Sequence, residues 1–252
     1  KCRYDVGKRN NNWQTVDLST LKNKDGREVG AEWLCKQAFD QLGIARFLQN
    51  KDWTKDDISL ATSHIISRAV YPASEHKTVS FIKENSAICE ITGFDKDKVT
   101  KDKLYKISHG LYSVKDELES YLSNRTNELF DLDDKIILYD LTNTYFEGRM
   151  KNSQKAKFGR SKEKRKDARL IVLAVVINPE GFLKYSNIFE GNMTDSKTLE
   201  TIVNALSKQT SFSDRKPVVV IDAGIATEGN LKMLKSKQYG YMCVSRSNLK
   251  EY

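Results

Sequence analysis

The stretch "KPVVVIDAGIATEGN", residues 216–230, decides how the rest of the chain is read. Pro217 to Ile221 form an unbroken apolar run, long enough for a strand and too short for a helix. An uninterrupted run predicts a strand buried on both faces. Asp222 follows at once, then small residues, then a helix beginning at Thr227. A carboxylate at the end of a buried strand is costly unless a backbone cap, an arginine or a metal ion compensates it.

The same arrangement occurs earlier. "KIILYDLTNTYFEG", residues 135–148, is an apolar β-rich run that reaches Asp140. Two strands of one sheet, each ending in aspartate, place both carboxylates at one edge, and ligands of α/β sheets gather outside strand ends. Two hard oxygen donors suit Mg²⁺ or Mn²⁺. A pair of such ions ~4 Å apart activates a water or hydroxyl and stabilises the leaving oxygen of an in-line displacement at phosphorus. In the other reading each aspartate starts a turn and accepts from nearby backbone N–H groups. Both readings stand at this point.

Around these strands the pattern alternates. "ARLIVLAVVINPEGFLKYSNIFEGN" reads as two strands about the turn Asn178-Pro179-Glu180-Gly181. "SKTLETIVNALSKQ" reads as a helix with Ser196 as its cap, and Asp195 serves that cap rather than a metal. "TEGNLKMLKSKQYG" reads as a helix from Thr227 to about Lys237, and "YMCVS" as a last strand. The order β, hairpin, α, β, α, β predicts an α/β domain with a mixed sheet covered by helices.

The first ~130 residues predict helices. In "EWLCKQAFDQLG", Leu34, Ala38 and Leu42 fall on one stripe, with Gly43 as a stop. Thr54 caps a helix whose stripe is Ile58, Ala61, Ile65 and Ala69, and Pro72 forbids its continuation. One helix is predicted from Ser74 to near Gly93, and two more over 100–111 and 113–130. The domain division is therefore 1–133, mostly helical and suited to DNA binding or dimerisation, and 134–252, the sheet domain.

Lys and Arg outnumber Asp and Glu by 42 to 34 in 252 residues, a net charge of +8. That balance leans toward a polyanionic partner. Ten of the basic residues fall in "RMKNSQKAKFGRSKEKRKDAR", 149–169, against two acidic ones. Lys157, Arg160, Lys162, Lys164, Arg165, Lys166 and Arg169 are the candidate DNA contacts, as a basic loop leading out of the Asp140 strand. A solvated surface loop is the alternative. Phe158 is its one aromatic, poor support for base stacking. Cys2, Cys35, Cys89 and Cys243 form no CxxC pair and read as reduced thiols of a cytoplasmic protein. No apolar run approaches the ~18 residues of a membrane span, and no signal peptide is visible. His64, His76 and His109 have no metal-ligand spacing, and His64, within a helical stripe, reads as packing or surface. Glu147 reads by default as a loop glutamate in water, with support of the Asp140 loop as the lesser reading, and positioning of that loop or a phosphate by Thr142 and Asn143 is a lesser reading of the same rank.

Taken together, "YDLTNTYFEG", "FGRSKEKRKDARLIVLAVVINPEGFLKYSNIFEGNMTDSKTL" and "VVVIDAGIATEGNLKMLKSKQYGYMCVSR" resemble the catalytic core of DDE transposases from bacterial insertion sequences, in the group with a β-rich insertion late in the fold. The resemblance covers roughly 95–252 well and extends less closely over the first ~90 residues. It implies an RNase H-like mixed sheet with flanking helices, preceded by the helical domain. It implies Mg²⁺- or Mn²⁺-dependent cleavage and strand transfer of double-stranded DNA ends by a homo-oligomeric synaptic assembly. By motif position Asp140 and Asp222 are the first and second catalytic, metal-holding carboxylates. The family's third, a glutamate, finds no good match, Glu251 being a weak one. The chain starts at Lys1 and stops at Tyr252, and reads as a fragment ending before that residue. Two carboxylates fix two ions less well than three, so the expectation is a chain that binds DNA and cuts it poorly or not at all. The alternative is a non-catalytic DNA-binding protein derived from a truncated transposase.

Overall fold

A computed structural model describes residues 17, 19, 26–159, 167–209 and 216–244. The chain forms two compact units, 1–110 and 111–252.

The first unit is helical: α1 (Gly30–Leu42), α2 (Ile44–Gln49), α3 (Lys55–Val70), α4 (Glu75–Glu84) and α5 (Ile88–Thr92), with α6 (Lys101–Ser113) leading out of it. α3 is its central helix and touches α1, α2, α4 and α5. Thr54 and Ser74 cap α3 and α4, each side-chain oxygen accepting from the backbone N–H three residues on. Of the expected α3 stripe only Ala61 is buried; Ile58 and Ile65 are half-buried and Ala69 is exposed, and the helix's central place buries other positions instead. Leu60, Ala61 and Ile66 are in the core, and so are Thr62, Ser63, His64 and Ser67. Thr62 and Ser63 satisfy their hydroxyls on the carbonyls of Ile58 and Ser59.

Two further expectations fail here. The helix predicted over 74–93 is two helices, because Asn85 and Ala87 pair through their backbones with Glu28. The Glu32 carboxylate accepts from the Ser86 hydroxyl and the Ala87 N–H at the same break. The predicted α1 stripe is turned outward: Leu34 is 71% exposed and Ala38 is exposed, while Phe39 and Glu32 are buried. Satisfying the Ser86–Ala87 break draws Glu32 inward, and Leu34 goes to the other side.

The second unit is mixed α/β. It contains α7 (Lys115–Phe130), β1 (Ile136–Tyr145), β2 (Leu170–Ile177), β3 (Leu183–Glu190), α8 (Asp195–Gln209), β4 (Val218–Ile221), α9 (Glu228–Ser236) and β5 (Gly240–Cys243). The sheet order is β3-β2-β1-β4-β5. β1, β2 and β3 are antiparallel neighbours, whereas β4 runs parallel to β1 and β5 parallel to β4. This is the RNase H-like arrangement expected.

One sheet face carries Ile137, Tyr139, Leu141, Leu170, Val172, Val176, Val219 and Ile221. It packs on Leu199, Ile202, Val203 and Leu206 of α8 and on Leu231 and Leu234 of α9. The hairpin between β2 and β3 turns as predicted: Gly181 takes a left-handed φ of 89° and the Asn178 side chain accepts from Phe182 N–H. Thr227 caps α9 through Asn230 N–H. β4 is buried on one face and half-buried on the other, so its unbroken apolar run overstated its burial.

α7 packs against β3, so the compact sheet unit reaches back to Leu111, past the 133/134 position at which the sequence pattern changes. Glu119 accepts from both the N–H and the hydroxyl of Ser186, and Lys115 donates to Glu119 and to the Ser186 carbonyl. Buried Lys184 reaches Asn127 Oδ1 at 2.6 Å and Asp134 Oδ2 at 2.8 Å. No helix among the described residues is long and apolar enough to cross a membrane.

Candidate active site

Parallel pairing aligns Ile136 with Val218, Ile137 with Val219 and Leu138 with Val220. Carried two residues on, this register sets Asp140 level with Asp222, where β4 has just ended. Neighbouring strands lie about 4.8 Å apart and side chains alternate in direction along each. Asp140 therefore stands on the sheet face opposite Tyr139 and Leu141. Asp140 and Asp222 are both exposed.

The two carboxylates differ in their local settings. Asp222 begins a turn: its Oδ1 accepts from Gly224 N–H at 2.6 Å and Ile225 N–H at 3.1 Å. The turn-starting reading holds for it, and among the described residues Oδ2 takes no hydrogen bond or ion pair. Asp140 does not end its strand, contrary to expectation. β1 continues to Tyr145, because Leu141 to Tyr145 keep pairing with Ala174 to Leu170. A mid-strand position opposite Val175 leaves Asp140 no turn to cap. Among the described residues its carboxylate takes no hydrogen bond or ion pair.

This pair fits a hard divalent cation: two carboxylates at one level of adjacent strands, with free oxygen lone pairs facing solvent. Among the described residues no group of three or more His, Cys, Asp or Glu side chains gathers as a metal cluster. Thr142 and Thr144 lie on the Asp140 face and are exposed. They extend past the end of β4, so nothing from that strand stands beside them. Asn143 points to the opposite face, and Glu147 is exposed beyond the strand.

The basic segment begins at the same end of β1. Lys157 exchanges both backbone hydrogen bonds with Leu170, the residue that pairs with Tyr145. The Lys155 carbonyl accepts from Gly191 N–H, and its ammonium donates to the Ile188 carbonyl at 2.7 Å. The Arg169 guanidinium donates to the Ala156 carbonyl at 3.1 Å and sits 5.2 Å from the Phe158 ring centroid. Lys157 and Arg169 are thus held together beside the end of β1–β2. Arg160, Lys162, Lys164, Arg165 and Lys166, like Glu251, lie outside the described residues.

The sequence did not reveal two features of this site. The level register of the aspartates needs the strand pairing, which no local pattern encodes. The tight seat of the basic segment depends on Gly159 and Gly191. A Cβ on Gly159 would meet the Gly191 carbonyl oxygen at 2.1 Å, and one on Gly191 the Leu170 carbonyl oxygen at 1.9 Å. Gly159 within the segment and Gly191 just after β3 were the available signal.

No family model matches the chain, and no curated protein matches it. Among solved structures, it is similar to a piggyBac transposase synaptic complex with hairpin DNA, at 14% identity and a TM-score of 0.41, over 79% of this chain and 44% of that one. It is also similar to the catalytic domain of Mos1 mariner transposase, at 9% identity and a TM-score of 0.29, over 53% and 61%. A Mos1 mariner paired-end complex with Mn aligns at 9% identity and a TM-score of 0.30, over 71% and 57%. The chain spans less than half the length of the piggyBac structure and about three fifths of the Mos1 ones.

Proposed function

We propose that this chain is a transposase of the DDE type, of the insertion-sequence kind, acting on double-stranded DNA ends through Asp140 and Asp222. The observation that carries the reading is the register that sets these two exposed carboxylates level on adjacent parallel strands. The sequence resemblance across the three quoted stretches supports it, and so does the basic segment anchored where β1 ends.

On this reading Asp140 and Asp222 hold Mg²⁺ or Mn²⁺, which supplies Lewis-acid stabilisation of charge on the transferring phosphate. The protein's own part is positional. Asp222 is fixed by its turn hydrogen bonds, so one oxygen stays directed and rigid. Asp140 is fixed by the β1–β2 ladder, which pairs it with Val175 and continues on both sides of it to Leu138 and Tyr145. Thr142 and Thr144 offer hydroxyls to phosphate oxygens along the same face. The basic segment neutralises the DNA backbone and sets its register against the sheet. The helical region holds DNA or a second subunit, and the working form is a homo-oligomer that synapses two ends in the cytoplasm.

The test is a nicking assay on terminal-repeat DNA with Mn²⁺, run on the chain and on Asp140→Asn and Asp222→Asn. Metal-dependent nicking abolished by either substitution supports the reading. DNA binding with no nicking under any divalent cation would favour the second reading, a non-catalytic DNA-binding protein. The turn that Asp222 caps for itself is what that second reading has in its favour.

A further inference from the structure

The Phe158 side chain is 57% exposed. Its backbone has little freedom to retract it. On one side Lys157 is locked to Leu170 by two backbone hydrogen bonds, at 2.9 and 3.1 Å. On the other, Gly159 is packed so closely on Gly191 that no Cβ would fit. Ala156, just before this pair, is fully buried, and its N–H is held by Ser153 Oγ at 3.1 Å. The ring is therefore displayed by a fixed frame. Water-exposed apolar area of this size is unfavourable, and the fold spends two close-packed glycines on holding it there.

The ring's surroundings indicate what it meets. The Arg169 guanidinium lies 5.2 Å from its centroid, within cation–π range. Lys151 and Lys155 are exposed nearby in sequence, and Lys157 is half-buried. An aromatic ring backed by arginine, on a segment that also carries Lys151, Lys155 and Lys157, combines a π-face with a field for phosphate. That combination suits an unpaired nucleobase, which stacks on the ring while its backbone meets the cations. An acidic or apolar protein surface would use only half of it.

We infer that Phe158 and Arg169 form a stacking platform for an unpaired nucleobase of the DNA strand. This extends the transposase reading and rests on it for the identity of the polyanion. The site lies at the Tyr145 end of β1, five residues from Asp140, which is roughly 17 Å at strand rise. A base unstacked a few nucleotides from the bond being cut reaches it. The lone aromatic that made stacking look poorly supported in the sequence is enough once it is held out rigidly beside a guanidinium.

The experiment is fluorescence polarisation in about 50 mM salt, where phosphate contacts are strong. Probes are a labelled single-stranded oligonucleotide and its blunt duplex. Proteins are the intact chain, Phe158→Ala and Phe158→Trp. Stacking on one base is worth a loss on the order of tenfold when the ring is removed. The expected result is that Phe158→Ala weakens the single strand about tenfold and the duplex less than twofold, with Phe158→Trp restoring or exceeding the original. Equal effects on both probes, or none on either, overturn the platform and leave the DNA reading in place. Failure of the intact chain to bind either probe overturns the DNA reading itself.

Discussion

The β3 edge of the sheet and its β1–β4 centre treat charge in opposite ways. At the edge, Glu119 is buried and its two oxygens accept from Ser186 N–H, Ser186 Oγ and Lys115. Lys184 is buried beside it with two acceptors in reach. At the centre, Asp140 is exposed and without a described partner, and Asp222 commits one oxygen to its turn. Buried charges must be paired because desolvation is expensive, so the edge network serves to attach α7 to the sheet. The central carboxylates bury little and attach little. Their lone pairs remain available to something outside the chain.

The sharpest way to break this contrast is to neutralise each set. Asp140→Asn and Asp222→Asn should each abolish whatever metal-dependent nicking the two carboxylates support, since each removes several kcal/mol of charge stabilisation. They should leave urea stability within about 0.5 kcal/mol, as surface substitutions do. Asn keeps the Oδ1 that caps the Asp222 turn. A large loss of stability in either variant would make that aspartate structural and end the contrast.

Glu119→Ala should do the reverse. It leaves two Ser186 donors without their acceptor and takes one of the partners of Lys115 at the α7–β3 contact, costing about 3 kcal/mol of the sheet unit's stability. Gly191→Ala should cost a similar ~3 kcal/mol for a steric reason. Its Cβ would press on the Leu170 carbonyl and, at 2.8 Å, on the Lys157 carbonyl, and backbone on both sides has no easy way to yield. Urea unfolding followed by circular dichroism measures both. A Gly191→Ala chain as stable as the parent would show the basic segment to be loosely seated.

The helical unit offers a third buried polar group, His64, whose Nε2 lies 3.0 Å from Ser108 Oγ. Among the described residues its Nδ1 has no partner. Burial holds its pKa below the ordinary imidazole value, Arg68 lowers it further, and Glu75 opposes. The unfolded chain therefore takes up the proton at higher pH than the folded one. Stability from the neutral ring is present above about pH 6.5 and is lost as pH falls through the folded pKa. Thermal unfolding from pH 7.5 to 5 should show a declining midpoint that flattens in His64→Gln. An equal decline in both would assign the effect to other groups.

Much of this fold follows from local chemistry visible in the chain. Thr54, Ser74 and Thr227 cap where their side chains predict, and Asn178 to Gly181 turn as such a sequence should. The strand identities follow from apolar runs. What local chemistry could not supply was pairing. Nothing in "IILYDLTNTY" shows that β2 extends β1 past Asp140, nor that Asp222 lies level with it. Nothing near Ser86 shows that Glu28 would break the helix there.

Leu34 gives the smallest expected effect and the cleanest check on that lesson. Read as a 3.6-residue period, Leu34 and Ala38 belong to the α1 core, and Leu34→Ala would cost ~2–5 kcal/mol. In the fold Leu34 is 71% exposed, and the buried positions are Glu32 and Phe39. The expected cost of Leu34→Ala is then below about 0.5 kcal/mol. Glu32→Ala should cost more, since Ser86 Oγ and Ala87 N–H lose their acceptor. Burial holds the Glu32 pKa above the ordinary range, so a neutral Gln, which keeps one oxygen acceptor, should be tolerated better than Ala. If Leu34→Ala proves the costlier of the two, α1 is rotated from the orientation described and its apolar stripe is core after all. If Glu32→Ala does, a carboxylate satisfying a chain break has outweighed a leucine in choosing which face of the helix turns inward.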